Sequence, residues 1–181
     1  MATTSALPAS NAPAYDHPSD GFHLIIKSSN LSFDGFALAA CHRGAAVESL
    51  CQSKARAGSD PRSLYRYYHK ASSYNAVNAG GSLIYVLQMM GGQQVPSAMH
   101  FSDRKGTNTQ EMMFQPGEGD GSAQISFDES GGMWKDGSAE KWYMCETTSG
   151  YPMNLLVWVN GDAPTPQEPA CQKVKVQRIW A

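Results

Sequence analysis

Apolar side chains in this chain recur at intervals of two, and nowhere for long at 3.6. The tail Lys173-Val174-Lys175-Val176-Gln177-Arg178-Ile179-Trp180 alternates strictly, and Phe22, Leu24 and Ile26 alternate with His23, Ile25 and Lys27. Both read as strands, because successive strand side chains point to opposite faces. Ser32-Phe33-Asp34-Gly35 is a turn signal, so Phe36–Cys41 pairs back on the first strand as a hairpin. Gly44–Cys51 fits a strand or a short helical turn, and Gln52–Pro61 is polar and reads as a loop. Ser63–Lys70 is rich in tyrosine; as a strand it would put Tyr65 and Tyr67 on one face.

Ser82–Met90 is apolar on both faces and predicts a central strand between Asn78-Ala79-Gly80-Gly81 and Gly91-Gly92. Met99–Phe101 and Glu111–Phe114 flank a basic turn, Asp103–Gly106. A Gly117–Gly121 turn precedes Ala123–Phe127, and Gly131-Gly132 separates that strand from Met133-Trp134. Trp142–Met144 and Met153–Val159 form a last hairpin around Ser149-Gly150-Tyr151-Pro152, and a loop with Pro164, Pro166 and Pro169 leads to the tail. The sum is about ten short strands with turns roughly every 8–15 residues, an all-β antiparallel sandwich or barrel. Residues 1–20 are small, polar and Pro-containing and read as a flexible arm; 21–181 are one β domain. Strands apolar on both faces call for covering loops, a partner surface (a homodimer included) or an apolar barrel interior.

Charge removes some function classes. With a net charge of −2 the chain has no electrostatic case for nucleic acid. No apolar run reaches the ~20 residues of a membrane helix. The start has neither a basic n-region nor an apolar h-region, so the expectation is a mature chain behind an added Met1.

Four cysteines, Cys41, Cys51, Cys145 and Cys171, fall into two local pairs without CxxC spacing. That spacing disfavours zinc and thioredoxin-like readings. Two disulfides in an oxidising compartment are expected; four buried thiols in a cytosolic protein is the alternative. A Cys145–Cys171 bridge would close a loop of about 26 residues, worth roughly 3 kcal/mol on the chain-entropy model. Asn30-Leu31-Ser32 is an N-glycosylation acceptor and agrees with a secretory or extracellular location.

Neither GxSxG nor HExxH occurs, and the five histidines lack metal-ligand spacing, so no metal or cofactor is expected. Asp128-Glu129 sits in a Gly/Ser-rich turn, where solvated loop charge is the simple reading. Nine Met, four Trp and eight Tyr are more distinctive. Their simple role is core filling. Their functional role would be an apolar pocket for a hydrophobic small molecule, with Met89, Met112, Trp134, Trp142, Met144 and Trp158 as walls. Tyr67, Arg104 and Tyr143 are the candidate polar groups, although strand parity sets Tyr143 opposite Trp142 and Met144. Arg178 shares a face with Val174, Val176 and Trp180, where it either meets an anionic partner or stacks on Trp180.

Phe22-x-Leu24, Asp34-Gly35-x-x-Leu38 and Trp142-x-x-Cys145, with a second Cys before the last strand, resemble a family of small secreted fungal proteins of unknown function. The resemblance covers about half the chain, at its two ends, and implies a secreted β domain with a Cys145–Cys171 bridge. In size, cysteine usage and all-β pattern the chain is also similar to fungal hetero-Diels–Alderases of tropolone–sesquiterpenoid pathways. That likeness implies cofactor-free cycloaddition of an o-quinone methide with a terpene alkene. No motif carries a catalytic residue over, so Tyr67, Arg104 and Tyr143 rest on the residue reading alone. The alternative is a secreted surface or effector-like protein, or a hydrophobic-ligand binder without catalysis.

Overall fold

The computed structural model describes residues 17–71, 80–117, 124–147, 152–165 and 170–181. Among them the regular structure is strand, with short 3₁₀ turns at Pro61–Ser63 and Met90–Gly92 and no α-helix. The strands are β1 His17–Pro18, β2 Phe22–Lys27, β3 Phe36–Gly44, β4 Val47–Arg56, β5 Tyr67–Ala71, β6 Gly81–Gln88 and β7 Gln94–Asp103. They continue with β8 Thr109–Pro116, β9 Ser126–Phe127, β10 Met133–Trp134, β11 Trp142–Glu146, β12 Asn154–Val159 and β13 Cys171–Trp180.

The sheet closes on itself. β5 to β8 form a meander, β8 pairs with β12, β12 with β11, β11 with β13 and β13 with β2. Phe22 of β2 then pairs with Tyr67 of β5, and the ring is complete. The β3–β4 hairpin is spliced in beside it: Ile25 pairs with Ala37, while β4 fills the gap where β8 and β12 diverge, through Ser49–Met113 and Cys51–Leu155. The expectation of an antiparallel sandwich or barrel is met by the barrel. Closure leaves few free edges, which suits a β protein with so many apolar strands.

The inward positions fill the interior. Phe22, Leu24, Ile26, Leu38, Leu50, Tyr67, Phe114, Trp142 and Trp158 are among the buried side chains of one continuous cluster. Tyr67 stacks on Phe114 at 5.9 Å between ring centres, and Trp142 meets Trp158 edge-to-face at 4.6 Å. Cations lie over several rings: Lys135 Nζ is 5.0 Å from Trp158, and the Arg178 guanidinium 4.3 Å from Trp180 and 4.5 Å from Phe127. Arg178 thus takes its stacking role, and burial pushes its pKa down.

A second, smaller cluster lies on the opposite face, with Ala39, Cys51, Cys145, Leu155 and Val157. It explains why β12 is apolar on both faces: Leu156 and Trp158 face the barrel, Leu155 and Val157 this outer layer. Both expected disulfides are formed, Cys41–Cys51 and Cys145–Cys171, with Cα separations of 6.0 and 4.2 Å. They fit an oxidising environment. Among the described residues no helix is long and apolar enough to cross a membrane.

Several boundaries differ from the sequence expectation. Gln52–Arg56 is not loop: β4 runs to Arg56, with Gln52 opposite Leu38 and Arg56 opposite Phe36. Its side chains are polar because this half of the strand is partly exposed. Gly44–Cys51 resolves into a turn at Ala45-Ala46 and the start of β4. The tyrosine-rich strand begins only at Tyr67, and the strand expected to reach Met90 stops at Gln88. His17–Pro18, at the end of the expected arm, pairs with Ala71 and Lys70. Residues 1–16, and most of the expected turns at 78–81, 117–121 and 149–152, lie outside the described residues, as do Pro166 and Pro169.

Candidate functional site

The side chains expected to wall an apolar pocket are mostly spent on the core. Met112, Met144, Trp142 and Trp158 are buried in the barrel cluster. Trp142 also donates its Nε1 hydrogen to the Met133 carbonyl at 2.9 Å. Met89 stands at the β6–β7 turn, 40% exposed. The three expected polar groups are dispersed. Tyr67 lies in the interior, donates to the Leu38 carbonyl at 3.3 Å, and is pushed well above the ordinary phenol range by burial. Arg104 is in the β7–β8 turn. Tyr143 packs on the outer cluster and reaches the Asp162 carbonyl at 3.5 Å.

Trp134 has a different fate, set by two turns. In the first, Asp128 Oδ1 accepts from the Gly132 amide at 2.8 Å and the Ser130 hydroxyl at 2.7 Å. Gly131 adopts φ +85°, and a Cβ there would lie 2.7 Å from the Arg178 carbonyl, so only glycine fits. The second turn is Lys135-Asp136-Gly137-Ser138, with positive φ at both central residues, the hairpin geometry that Asp-Gly favours. Between them, Trp134 donates its Nε1 hydrogen to Asp128 Oδ2 at 2.8 Å. That bond, with the Ser130 hydroxyl next, holds the Asp128 carboxyl below the usual carboxylate range.

The indole so fixed lines a cleft of about 460 Å³ between the 128–140 segment and the outer face of β2 and β13. Lys27 and Lys175 border it, directly opposite each other in the β2–β13 register. Glu140 bridges two ammoniums, Lys175 at 2.6 Å and Lys173 at 3.2 Å. Those lysines, Lys175 first, lower its pKa as well. A second cleft of about 400 Å³ shares Lys27, Glu140 and Lys175 and continues past Ser28, Ser29, Gln172 and Lys173. The two make one groove.

Two other polar sites are structural. Buried Glu111 receives the Ser49 hydroxyl and the Arg43 guanidinium, the latter at 3.1 Å. Glu48 pairs with His42 at 3.5 Å, and its pKa is raised by burial against the lowering effect of that histidine. A further cleft, about 510 Å³, is an open depression beside Tyr65, Tyr85 and Arg66, with Arg62 committed to Asp60 at 2.8 Å. Among the described residues no three His, Cys, Asp or Glu side chains are grouped to hold a metal ion.

Of the six expected ligand-contacting side chains, only Trp134 lines one of these three clefts. Lys27, Glu140 and Lys175 were missed by sequence reasoning. The Asp136-Gly137 turn and the outward parity of Lys173 and Lys175 were the available signals. The family model described as "Domain of unknown function (DUF7907)" matches residues 19–180. No curated protein and no solved structure matches the chain.

Proposed function

We propose that this chain, which belongs to the DUF7907 family of domains of unknown function, is an extracytoplasmic ligand-binding protein that works without catalysis. The binding site is the Trp134 groove. The carrying observation is geometric: the Trp134 indole, fixed by its bond to Asp128 Oδ2, lines a cleft whose other carboxylate, Glu140, is ion-paired to Lys175 and Lys173. Glycoside hydrolysis needs two carboxyls facing one cleft, one of them held protonated as the acid. Asp128 and Glu140 do face one cleft, yet both are held low, Asp128 by Trp134 and Glu140 by Lys175 and Lys173. Neither serves as a general acid near neutral pH. What remains is an indole wall with amide, hydroxyl and ammonium donors around it, which suits recognition.

Cycloaddition of an o-quinone methide with a terpene needs an enclosed apolar pocket that holds both partners in a near-attack geometry. Its expected walls Trp142, Trp158, Met112 and Met144 pack in the core, so the binding reading is preferred. The disulfides support an oxidising compartment. In the Asn30-Leu31-Ser32 acceptor tripeptide, the Asn30 Oδ1 accepts the Ser32 amide at 2.9 Å in an exposed turn, and its Nδ2 has no partner among the described residues. That nitrogen is open to glycosylation.

The test is tryptophan fluorescence of the oxidised protein and of Trp134→Phe, titrated with neutral and charged oligosaccharides and with a humulene-type terpene. A saturable change in the native protein that is lost in Trp134→Phe supports the reading. No change with any ligand overturns it. Altered rate or stereochemistry of the cycloaddition replaces it with the enzymatic one. Secretion from a eukaryotic host followed by amidase deglycosylation should lower the mass if Asn30 carries a glycan.

A further inference from the structure

Lys27 and Lys175 point the same way from directly paired positions on β2 and β13. Like charges placed opposite each other on a sheet are destabilising. Glu140 offsets part of this, but its carboxylate is shared between Lys175 and Lys173, and Lys27 has no carboxylate partner among the described residues. The second cleft therefore gathers three ammoniums against one carboxylate, on a chain whose net charge is −2. The Asp128 carboxylate, at the Trp134 end of the groove, is hydrogen-bonded by Trp134, Gly132 and Ser130 and makes no ion pair with these lysines, so the groove as a whole holds three ammoniums against two carboxylates.

From this we infer that the groove binds an acidic polysaccharide, a chain of sugar rings bearing carboxylates; the inference rests on the binding reading above. The parts correspond to that chemistry. Trp134 offers a fixed aromatic wall to the C–H face of a pyranose, and its orientation is set before binding by Asp128, which limits the entropy lost on association. Serine hydroxyls and glutamine amides along the groove match sugar hydroxyls. The ammoniums of Lys27, Lys173 and Lys175 meet ring carboxylates spaced along the polymer. Two clefts in series ask for an oligomer rather than a single sugar. A nucleic acid fits less well, since the groove offers one aromatic wall, Trp134, where a strand of bases asks for successive stacking platforms.

The experiment is calorimetric titration of the intact oxidised protein with galacturonate, alginate and hyaluronan oligomers, and with the same oligomers after methyl esterification. Esterification removes charge and leaves the rings. At least one acidic oligomer should bind, roughly tenfold or more tighter than its ester, and should weaken with salt. Lys27→Gln and Lys175→Gln should each lower affinity severalfold. Glu140→Gln, which frees two ammoniums, should raise it, an opposite sign that misfolding does not produce. Trp134→Phe should weaken acid and ester alike. Equal affinity for acid and ester overturns the inference while leaving the binding reading in place. Single-stranded DNA or polyphosphate binding as well as the uronates, independent of Trp134, overturns it in favour of a generic anion patch. No binding of any uronate overturns it outright; the binding reading then stands only if neutral oligosaccharides still act on Trp134.

Discussion

Cys51 and Leu155 stand directly opposite each other across β4 and β12. Leu155 in turn pairs with Cys145, Cys145 with Cys171, and Cys51 with Ala39. Ala39, Cys51, Leu155, Cys145 and Cys171 thus form one lateral row across five strands. The Cys145–Cys171 bridge lies within that row, and the Cys41–Cys51 bridge has one end in it, Cys51. One bridge joins β3 to β4 within the hairpin and the other joins β11 to β13, so they brace the two sides of the seam at Cys51–Leu155 without crossing it.

The two bridges should not be equal. Cys145–Cys171 spans 26 residues and Cys41–Cys51 spans 10. On the chain-entropy model these correspond to about 3.5 and about 2.7 kcal/mol. Chemical denaturation of Cys145→Ala/Cys171→Ala and of Cys41→Ala/Cys51→Ala should therefore show a larger loss for the first pair. The reverse order would mean that the hairpin splice, rather than the anchoring of β13, limits stability.

How much of this was legible varies by residue. The cysteine pairs, the alternation of Lys173–Trp180 and the doubly apolar β12 were legible because each is written in contiguous sequence. The fate of the tryptophans was not. Trp134, Trp142 and Trp158 look alike in composition, and only the closure of the ring decides that two fill the core while one walls a groove. Lys27 and Lys175 are far apart in the chain, and their opposition depends on the register of the first long strand with the last. Gln52–Arg56 misled because a partly exposed strand half carries the same residues as a loop.

Trp158 supplies a test of that division. It is 2% exposed and packs on Trp142 at 4.6 Å. Trp158→Ala should cost about 3–5 kcal/mol through lost burial and a residual cavity. Trp158→Phe, a smaller change, should leave affinity in the Trp134 groove unaltered. If Trp158→Phe weakened ligand binding while the protein stayed folded, the ligand would be reaching the barrel interior, and the cycloaddition reading would gain ground.

Asp128 gives a pH dependence with a definite sign. Its folded-state pKa lies below the usual value, chiefly because the Trp134 Nε1–H bonds the ionised form. A depressed carboxyl pKa contributes stability above its unfolded pKa of about 3.9 and loses it as pH falls through the folded value. Wild type should therefore lose the advantage over Asp128→Asn on acidification below about pH 4. At neutral pH the substitution should loosen the indole, seen as a change in near-UV circular dichroism. An unchanged Trp134 environment in Asp128→Asn would show that packing alone orients the ring.

Gly81 opens β6, where it pairs with Ala71 of β5 and exchanges two backbone hydrogen bonds with Ile125, at 2.8 and 2.9 Å. A Cβ at this position would lie 2.3 Å from the Lys70 carbonyl oxygen and 2.6 Å from His69 Nε2. The first neighbour is backbone in a paired strand. The second is a buried imidazole that already shares a hydrogen bond with the Ile125 carbonyl at 3.0 Å and whose pKa burial lowers. Neither yields cheaply, so Gly81→Ala should cost about 1–3 kcal/mol or more by overpacking. It should also raise hydrogen exchange at the Ile125 amide. Gly91→Ala is the control: its φ is +82°, yet a Cβ there meets nothing within 4 Å. That change should carry only the conformational penalty of a left-handed residue, roughly 1–2 kcal/mol, without altered exchange at Ile125. Equal losses for the two, with Ile125 undisturbed in both, would show that β5 and β6 can part enough to admit a methyl group.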